Sequence, residues 1–150
     1  MRGNSIKISV ITATWNCKDT LAGCLDSVAD QTYPEREHVV IDGASSDGTL
    51  ELLKSRQSQF AVLVSEPDDG IYDALNKGIS RSSGDVIGFL HADDLYAHPQ
   101  VLAKIAAEFE KDPSVCAVYG DLQYVRKDET SVVLRNWKSG TFSANRLAWG

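Results

Sequence analysis

Apolar positions along this chain come in short runs whose spacing switches repeatedly between two periods. Ile6 to Thr14 (IKISVITAT) alternates apolar and polar positions with many β-branched residues, which predicts a strand. After Asn16, Leu21, Leu25 and Val28 recur at helical spacing, and Tyr33-Pro34 ends that segment. Glu37 to Asp42 (EHVVID) predicts a second strand, followed by a Gly/Ser/Asp turn and a helix from Thr49 to about Gln57 with Leu50 and Leu53 inward. Phe60 to Ser65 (FAVLVS) predicts a third strand. Ile71, Leu75 and Ile79 sit four apart and mark the next helix, with Asp69 as its N-cap. Asp85 to Leu90 (DVIGFL) predicts a fourth strand. His98-Pro99 has the cap-then-proline form of a helix start, Val101, Leu102, Ile105 and Phe109 form the buried face, and Asp112-Pro113 stops it. Val115 to Tyr119 and Thr130 to Trp137 are further predicted strands.

Strand and helix in near-continuous alternation imply an α/β fold: a Rossmann-like, mostly parallel sheet flanked by helices on both faces. With no internal repeat, low-complexity tract or linker, residues 1–150 read as a single domain. Ser139 to Gly150 shows no terminating element, so the expectation is a chain cut before its next element.

Composition narrows the classes. With 43% hydrophobic and 24% charged residues the chain is an ordinary globular protein, which excludes disorder. A net charge of -6 argues against nucleic acid as a partner, because phosphate binding needs clustered Lys and Arg. An anionic diphosphate would then need a metal cation or backbone N–H groups. Cys17, Cys24 and Cys116 show neither a CxxC pair nor zinc-ligand spacing, so three reduced thiols are expected. Met1 to Lys7 is no signal peptide, and no apolar run approaches the ~20 residues of a membrane span. A cytoplasmic location is expected, compatible with peripheral attachment at the inner face of the membrane.

Ligands of open α/β sheets bind outside the carboxyl ends of the strands, at a switch in strand order. The first predicted strand delivers Thr12, Thr14 and Asn16 there. The second delivers Asp42 and the turn Gly43 to Thr49, the third Glu66, Asp68, Asp69 and Gly70, and the fourth His91, Asp93 and Asp94. The strand bodies are nearly free of charge, so four polar loops on one edge point to a site. Asp93-Asp94 is its strongest feature, since adjacent carboxylates after a buried strand suit a hard divalent cation, Mg²⁺ or Mn²⁺. The ordinary alternative is one Asp capping a turn and the other facing water. His91 reads as a hydrogen-bonding residue rather than a metal ligand. Asp42 either accepts from a nucleobase or ribose, or caps the turn Ser45 to Gly48. Asp47 has that local turn role. Lys77 either reaches a diphosphate or is a solvated residue favourable to its helix dipole.

Four segments, SVITATWNCKDTLAGCLDSV, HVVIDGASSDGT, SEPDDGIYDALNKGI and GDVIGFLHADD, carry a resemblance. In order and spacing they resemble the N-terminal portion of a family 2 glycosyltransferase of GT-A fold, and they cover nearly the whole chain to Tyr124. The resemblance implies inverting transfer of a sugar from a nucleotide-diphosphate sugar donor to the hydroxyl of a glycan or lipid-linked acceptor, in polysaccharide or cell-envelope glycan synthesis. It implies a divalent metal on the diphosphate. It places Thr12, Thr14 and Asn16 at the nucleotide, Asp42 at the base, and Asp69 and Lys77 in the next nucleotide-contacting segment. Asp93 matches the last carboxylate of the DxD motif, the metal ligand, with Asp94 beside it. His91 replaces the first Asp of that motif, still within the nucleotide-sugar site. The family's catalytic base lies downstream. Asp128 and Glu129 read as an exposed hairpin turn, so the base is expected beyond Gly150.

Other readings fit less well. Phosphoryl transfer at an aspartate needs an Asp ending the first strand, where Thr14-Trp15-Asn16 stands. A dinucleotide dehydrogenase needs GxGxxG in a loop that has no glycine before Gly23. A nucleotide-binding fragment or an inactive glycosyltransferase-like domain is the principal alternative to turnover.

Overall fold

The computed structural model describes residues 5–140. The chain divides into two compact units, Met1–Pro113 and Ser114–Gly150. The first contains β1 (Ile8–Thr14), α1 (Lys18–Ala29), β2 (Arg36–Asp42), α2 (Thr49–Ser55), a 3₁₀ turn (Gln57–Gln59), β3 (Val62–Ser65), α3 (Ile71–Arg81), β4 (Val86–Phe89) and α4 (Val101–Lys111). The four strands form one parallel sheet in the order β3-β2-β1-β4. The chain builds outward from β1 through β2 to β3, then crosses back to lay β4 on the other side of β1. That reversal puts the switch point between β1 and β4.

The two-residue period of each strand sorts its side chains into two cores. Ile8, Val10 and Val40 face one way and pack with Leu21, Leu25 and Val28 of α1, Leu53 of α2, and Leu102 and Ala106 of α4. Ile11, Val39 and Ile41 face the other way against Ala74 and Leu75 of α3. Burial on both faces explains why the strands read as apolar runs. Each fully buried Ile, Leu or Val contributes about 1.5–3 kcal/mol relative to an exposed one.

Three sequence expectations need correction. Asp69 does not cap α3: Gly70 precedes the helix at φ +105, and the Asp69 N–H donates to Asp73 Oδ2 at 3.1 Å. The helix is turned so that Ala74 and Gly78 face the sheet, while Ile71 and Ile79 remain 49% and 41% exposed. Close approach is the cause, since a Cβ on Gly78 would lie 2.4 Å from Ile11 Cγ2. Lastly, Val115–Tyr119 has no regular structure.

The second unit holds an antiparallel hairpin, β5 (Leu122–Arg126) and β6 (Glu129–Trp137), with Leu122 opposite Trp137. The two-residue connection Lys127-Asp128 makes the segment just before it the natural partner of β6. Residues 141–150, most of the stretch expected to run into a further element, lie outside the described residues.

The start of α4 is held by tertiary contacts. His98-Pro99 is expected to cap and open this helix, but both lie before it: Gln100 is the N-cap residue and offers no side-chain cap. Gln31 supplies one from α1's far end: its Oε1 accepts from Leu102 N at 3.0 Å, and its Nε2 donates to His98 O at 3.0 Å. This satisfies a helix N–H that would otherwise be buried without a partner.

Candidate functional site

The carboxyl ends of β1, β2 and β3 are tied together by Asp42. Its side chain is wholly buried. Oδ1 accepts from Thr14 Oγ1 at 3.1 Å and from Ser45 Oγ at 2.5 Å, while Oδ2 accepts from Ser45 N at 3.1 Å and Ser65 Oγ at 2.7 Å. Asp42 therefore organises the edge in this structure. To read a nucleobase N–H it would have to exchange one of these hydroxyls.

The other residues expected at the nucleotide separate into two groups. Thr12 is fully buried in this structure, its hydroxyl 3.0 Å from His38 Nε2 and 4.0 Å from Cys24 Sγ beneath α1, away from the exposed end of the strand. Thr14 is nearly buried and serves Asp42. Asn16 stands at the edge in a left-handed conformation (φ 46) but works as a clamp. Its N–H donates to Ser45 Oγ at 2.9 Å, and its Oδ1 accepts from Ser46 N at 2.9 Å. Lys77 is engaged as well, with Nζ 2.9 Å from Pro67 O, 2.9 Å from Asp73 Oδ2 and 3.5 Å from Glu66 Oε1. Its charge fastens the β3–α3 loop to α3, and the Asp73 carboxylate holds its pKa above the usual lysine range. Asp47 has its turn role, accepting from Thr49 N at 2.9 Å and Lys18 N at 3.2 Å, so it joins the starts of α1 and α2.

The exposed group lies beyond the end of β4, on one side of the switch point. His91, Asp93 and Asp94 form a tight turn after β4, in which Asp94 N donates to His91 O at 2.9 Å. All three are exposed. Among the described residues, neither the Asp93 nor the Asp94 carboxylate has a hydrogen-bond or ionic partner. Partial burial raises the Asp94 pKa, the neighbouring Asp93 charge raises it further, and His91 opposes both. Two adjacent exposed carboxylates with no Lys or Arg beside them are a donor set fit for a hard divalent metal. Among the described residues no group of three His, Cys, Asp or Glu side chains gathers to enclose one. A metal here would depend on ligand oxygens for the rest of its shell.

Two further residues stand at this edge: Trp15, which the sequence reading passes over, and Asp68, which it names at the third strand's end without singling out. Trp15 follows the last residue of β1 and is 69% exposed, an unusual position for a side chain so large. Its Cδ1 lies 3.4 Å, and Asp68 Oδ2 2.5 Å, from where a Cβ on Gly43 would stand. Thus Asp68, more than Asp69, leans over the end of β2. Its Oδ1 also accepts from Gly70 N at 2.9 Å, fixing the loop. The signal for Trp15 was an aromatic just past a strand's end, where the buried face has finished. For Asp68 no signal separated it from its neighbour.

The three cysteines are free thiols, as expected. Burial pushes the Cys24 thiol up to about 12, so it is a protonated packing residue. In the second unit, Asp121 accepts from Lys138 Nζ and Ser139 N, each at 2.9 Å, and these hold it down at about 2. Asp128 and Glu129 both pair with Arg126. These acids are strongly occupied, and none is assigned as a base.

The family model for glycosyl transferase family 2 matches residues 9–148. An uncharacterized glycosyltransferase of Mycobacterium tuberculosis is 40% identical over 114 residues, covering 75% of this chain and 44% of the relative. A PGL/p-HBAD biosynthesis glycosyltransferase of Mycobacterium bovis is 35% identical over 117 residues, covering 76% and 46%. The chain thus spans less than half the length of these relatives. Among solved structures, S. aureus TarS in complex with UDP-GlcNAc superposes with a TM-score of 0.65 at 27% identity, covering 71% of this chain and 32% of that one. A mannosyltransferase from Pyrobaculum calidifontis, in complex with GDP-Man and Mn²⁺, gives 0.64 at 28%, covering 84% and 37%. The fold is that of GT-A glycosyltransferases, and the chain belongs to glycosyl transferase family 2.

Proposed function

We propose that this chain carries the donor half of an inverting glycosyltransferase, which moves a sugar from a nucleotide-diphosphate sugar to an acceptor hydroxyl with divalent-metal assistance. The observation that carries the reading is the unpartnered, exposed pair Asp93-Asp94, in the turn that follows β4, the strand beside β1 at the switch point. Asp93, with Asp94 beside it, would hold Mn²⁺ or Mg²⁺. When bound, that ion supplies positive charge against the leaving diphosphate.

Trp15 offers an exposed aromatic face for the base, and Asp68 and Asp69 line the approach with hydrogen-bond acceptors for ribose or base. His91, at the start of the turn, offers a hydrogen-bonding ring where a third carboxylate would add repulsion. Asp42, Thr14 and Asn16 keep these loops in register. The donor complexes of the two structural relatives support the class of ligand.

A glycan or lipid-linked acceptor, in polysaccharide or cell-envelope glycan synthesis, completes the reading. The relatives' names support it: one acts in PGL/p-HBAD biosynthesis, and another, 29% identical over 142 residues, is the chondroitin synthase of Pasteurella multocida. Among the described residues no helix is long and apolar enough to cross a membrane. We place the work at the cytoplasmic face, where nucleotide sugars are met.

Calorimetric titration with UDP, GDP and dTDP, each with and without Mn²⁺, tests the donor site. One nucleotide should bind in a metal-dependent way, and Asp93→Ala should remove the metal dependence with the fold intact. If no nucleotide binds the folded chain, or if the variant responds to Mn²⁺ as the parent does, the assignment is wrong.

A further inference from the structure

A concavity lies at the opposite edge of the sheet from the polar loops. It has a volume of about 390 Å³, within the range of small-molecule sites. Phe60 before β3, with Pro34 and Ala61, makes its apolar side, and Leu25 and Val28 of α1 close its floor at 1% and 2% exposure. Ala29 stands at its rim, and Arg36 and His38 enter from the start of β2. The Phe60 ring meets the His38 ring edge-on, centroids 5.4 Å apart at 84°, which fixes the imidazole's plane.

His38 is only 6% exposed. Its Nε2 is taken by Thr12 Oγ1 at 3.0 Å. Its Nδ1 has no partner among the described residues. Yet no fully buried side-chain nitrogen or oxygen among them lacks a hydrogen bond. Nδ1 therefore reaches solvent, and the concavity is the surface that the His38 ring lines.

The proton order in the buried chain Cys24–Thr12–His38 determines what Nδ1 offers. A hydroxyl donates better to an imidazole nitrogen than to a thiol sulfur. Assigned on that preference, Thr12 donates to Nε2, Cys24 turns its weak S–H to Thr12, and the remaining imidazole proton is on Nδ1. Burial lowers the His38 pKa to about 4, so the ring is neutral at physiological pH.

Beside this donor, the Arg36 guanidinium is anchored by Nη1 on Tyr33 O at 2.6 Å and Nη2 on Ala29 O at 2.9 Å. Further N–H groups remain for a ligand. Glu37 does not cancel this charge, because its carboxylate is turned to Lys7, Ser9 and Ser83. We propose that this concavity is a second ligand site, which takes a small organic carboxylate: the anion on Arg36 and His38 Nδ1, the apolar body against Phe60, Pro34 and Ala61.

Benzoate, with benzyl alcohol as its uncharged counterpart, probes the site by ¹⁵N-resolved NMR titration of the chain. Saturable shifts should appear at Leu25, Val28, His38 and Phe60 for benzoate, and the His38 ring Nδ1 resonance should move with them. Benzyl alcohol should bind at least tenfold more weakly. Arg36→Gln should cost a similar factor. Ala29→Trp, at an exposed rim position, should block binding while the remaining spectrum stays folded. Absence of saturation, equal binding of the alcohol, or shifts unaffected by Ala29→Trp would each overturn the proposal. The donor-site reading stands or falls separately, on the Mn²⁺-dependent titration.

Discussion

Residue type and residue role part company most clearly at the ends of the strands. Thr12, Thr14, Asn16 and Asp42 were all legible as polar groups at a sheet edge, because charge and hydroxyls interrupt apolar runs there. Which of them face inward was not legible, since that depends on partners contributed by segments up to 30 residues away, as for Asn16 and Ser46. Asp42 is the clearest case. A buried carboxylate is tolerable only when its oxygens are supplied with donors, and here four serve it. Asp42→Ala should therefore cost about 2–3 kcal/mol in urea unfolding, by orphaning the Ser45 N–H and loosening three loops. Combining it with Ser65→Ala should give less than the sum of the two losses, because both remove the same bond. Additive losses would mean that the hub is not a unit. Trp15 gives the complementary case, an exposed residue with no structural duty to lose. Trp15→Ala should leave the unfolding midpoint within about 0.5 kcal/mol of the parent and weaken nucleotide binding by about 1–3 kcal/mol, the usual worth of a base–aromatic stack. A change in stability without a change in affinity would remove Trp15 from the donor site.

At the scale of elements the sequence was a better guide. The four parallel strands and four α-helices of the first unit stand where apolar periodicity placed them, because each buries a continuous apolar set. The orientation of α3 was missed for a physical reason. Its sheet-facing positions are Ala74 and Gly78, which carry little hydrophobic signal, while the more conspicuous Ile71 and Ile79 stay exposed. Small residues there allow the helix axis to approach β1 closely. Gly78→Ala is thus an overpacking change, although alanine has the higher helix propensity. The clash with Ile11 should outweigh the propensity gain of about 1 kcal/mol and leave a net loss of about 1–2 kcal/mol. Thermal unfolding of Gly78→Ala, Ile11→Ala and the double variant decides the matter. The double variant should be more stable than the sum of the single losses predicts, and strict additivity would put the strain elsewhere. The hairpin partner of β6 was missed for a different reason. Leu122–Arg126 is exposed at four of its five positions and shows no buried alternation, so only its pairing marks it as a strand.

The first unit as a whole carries two buried titratable groups at the edge away from the polar loops, and both make it sensitive to acid. His38 has its pKa lowered from 6.5 to about 4, by burial first and by the nearby Arg36 charge second. The unfolded chain therefore binds a proton that the folded one refuses throughout that interval. The stabilisation from a neutral His38 is fully present above pH 6.5 and is lost as pH falls towards 4. Between pH 7.5 and pH 5 the loss should be about 2 kcal/mol. Glu37 acts in a lower window. Bonds from Lys7, Ser9 and Ser83 overcome its burial and bring it from 4.5 to about 2, so its contribution is present above pH 4.5 and declines as pH falls through 2. The two groups thus titrate in succession, and both lower stability as acid is added. Urea unfolding at half-unit steps from pH 7.5 to 4.5 isolates the histidine. His38→Gln can still meet the Thr12 hydroxyl but cannot take a proton, so its stability should change much less across this range. The parent and variant curves should converge towards the acid end. Parallel curves would show that another group sets the acid response, and that the proton on His38 is not excluded by the fold.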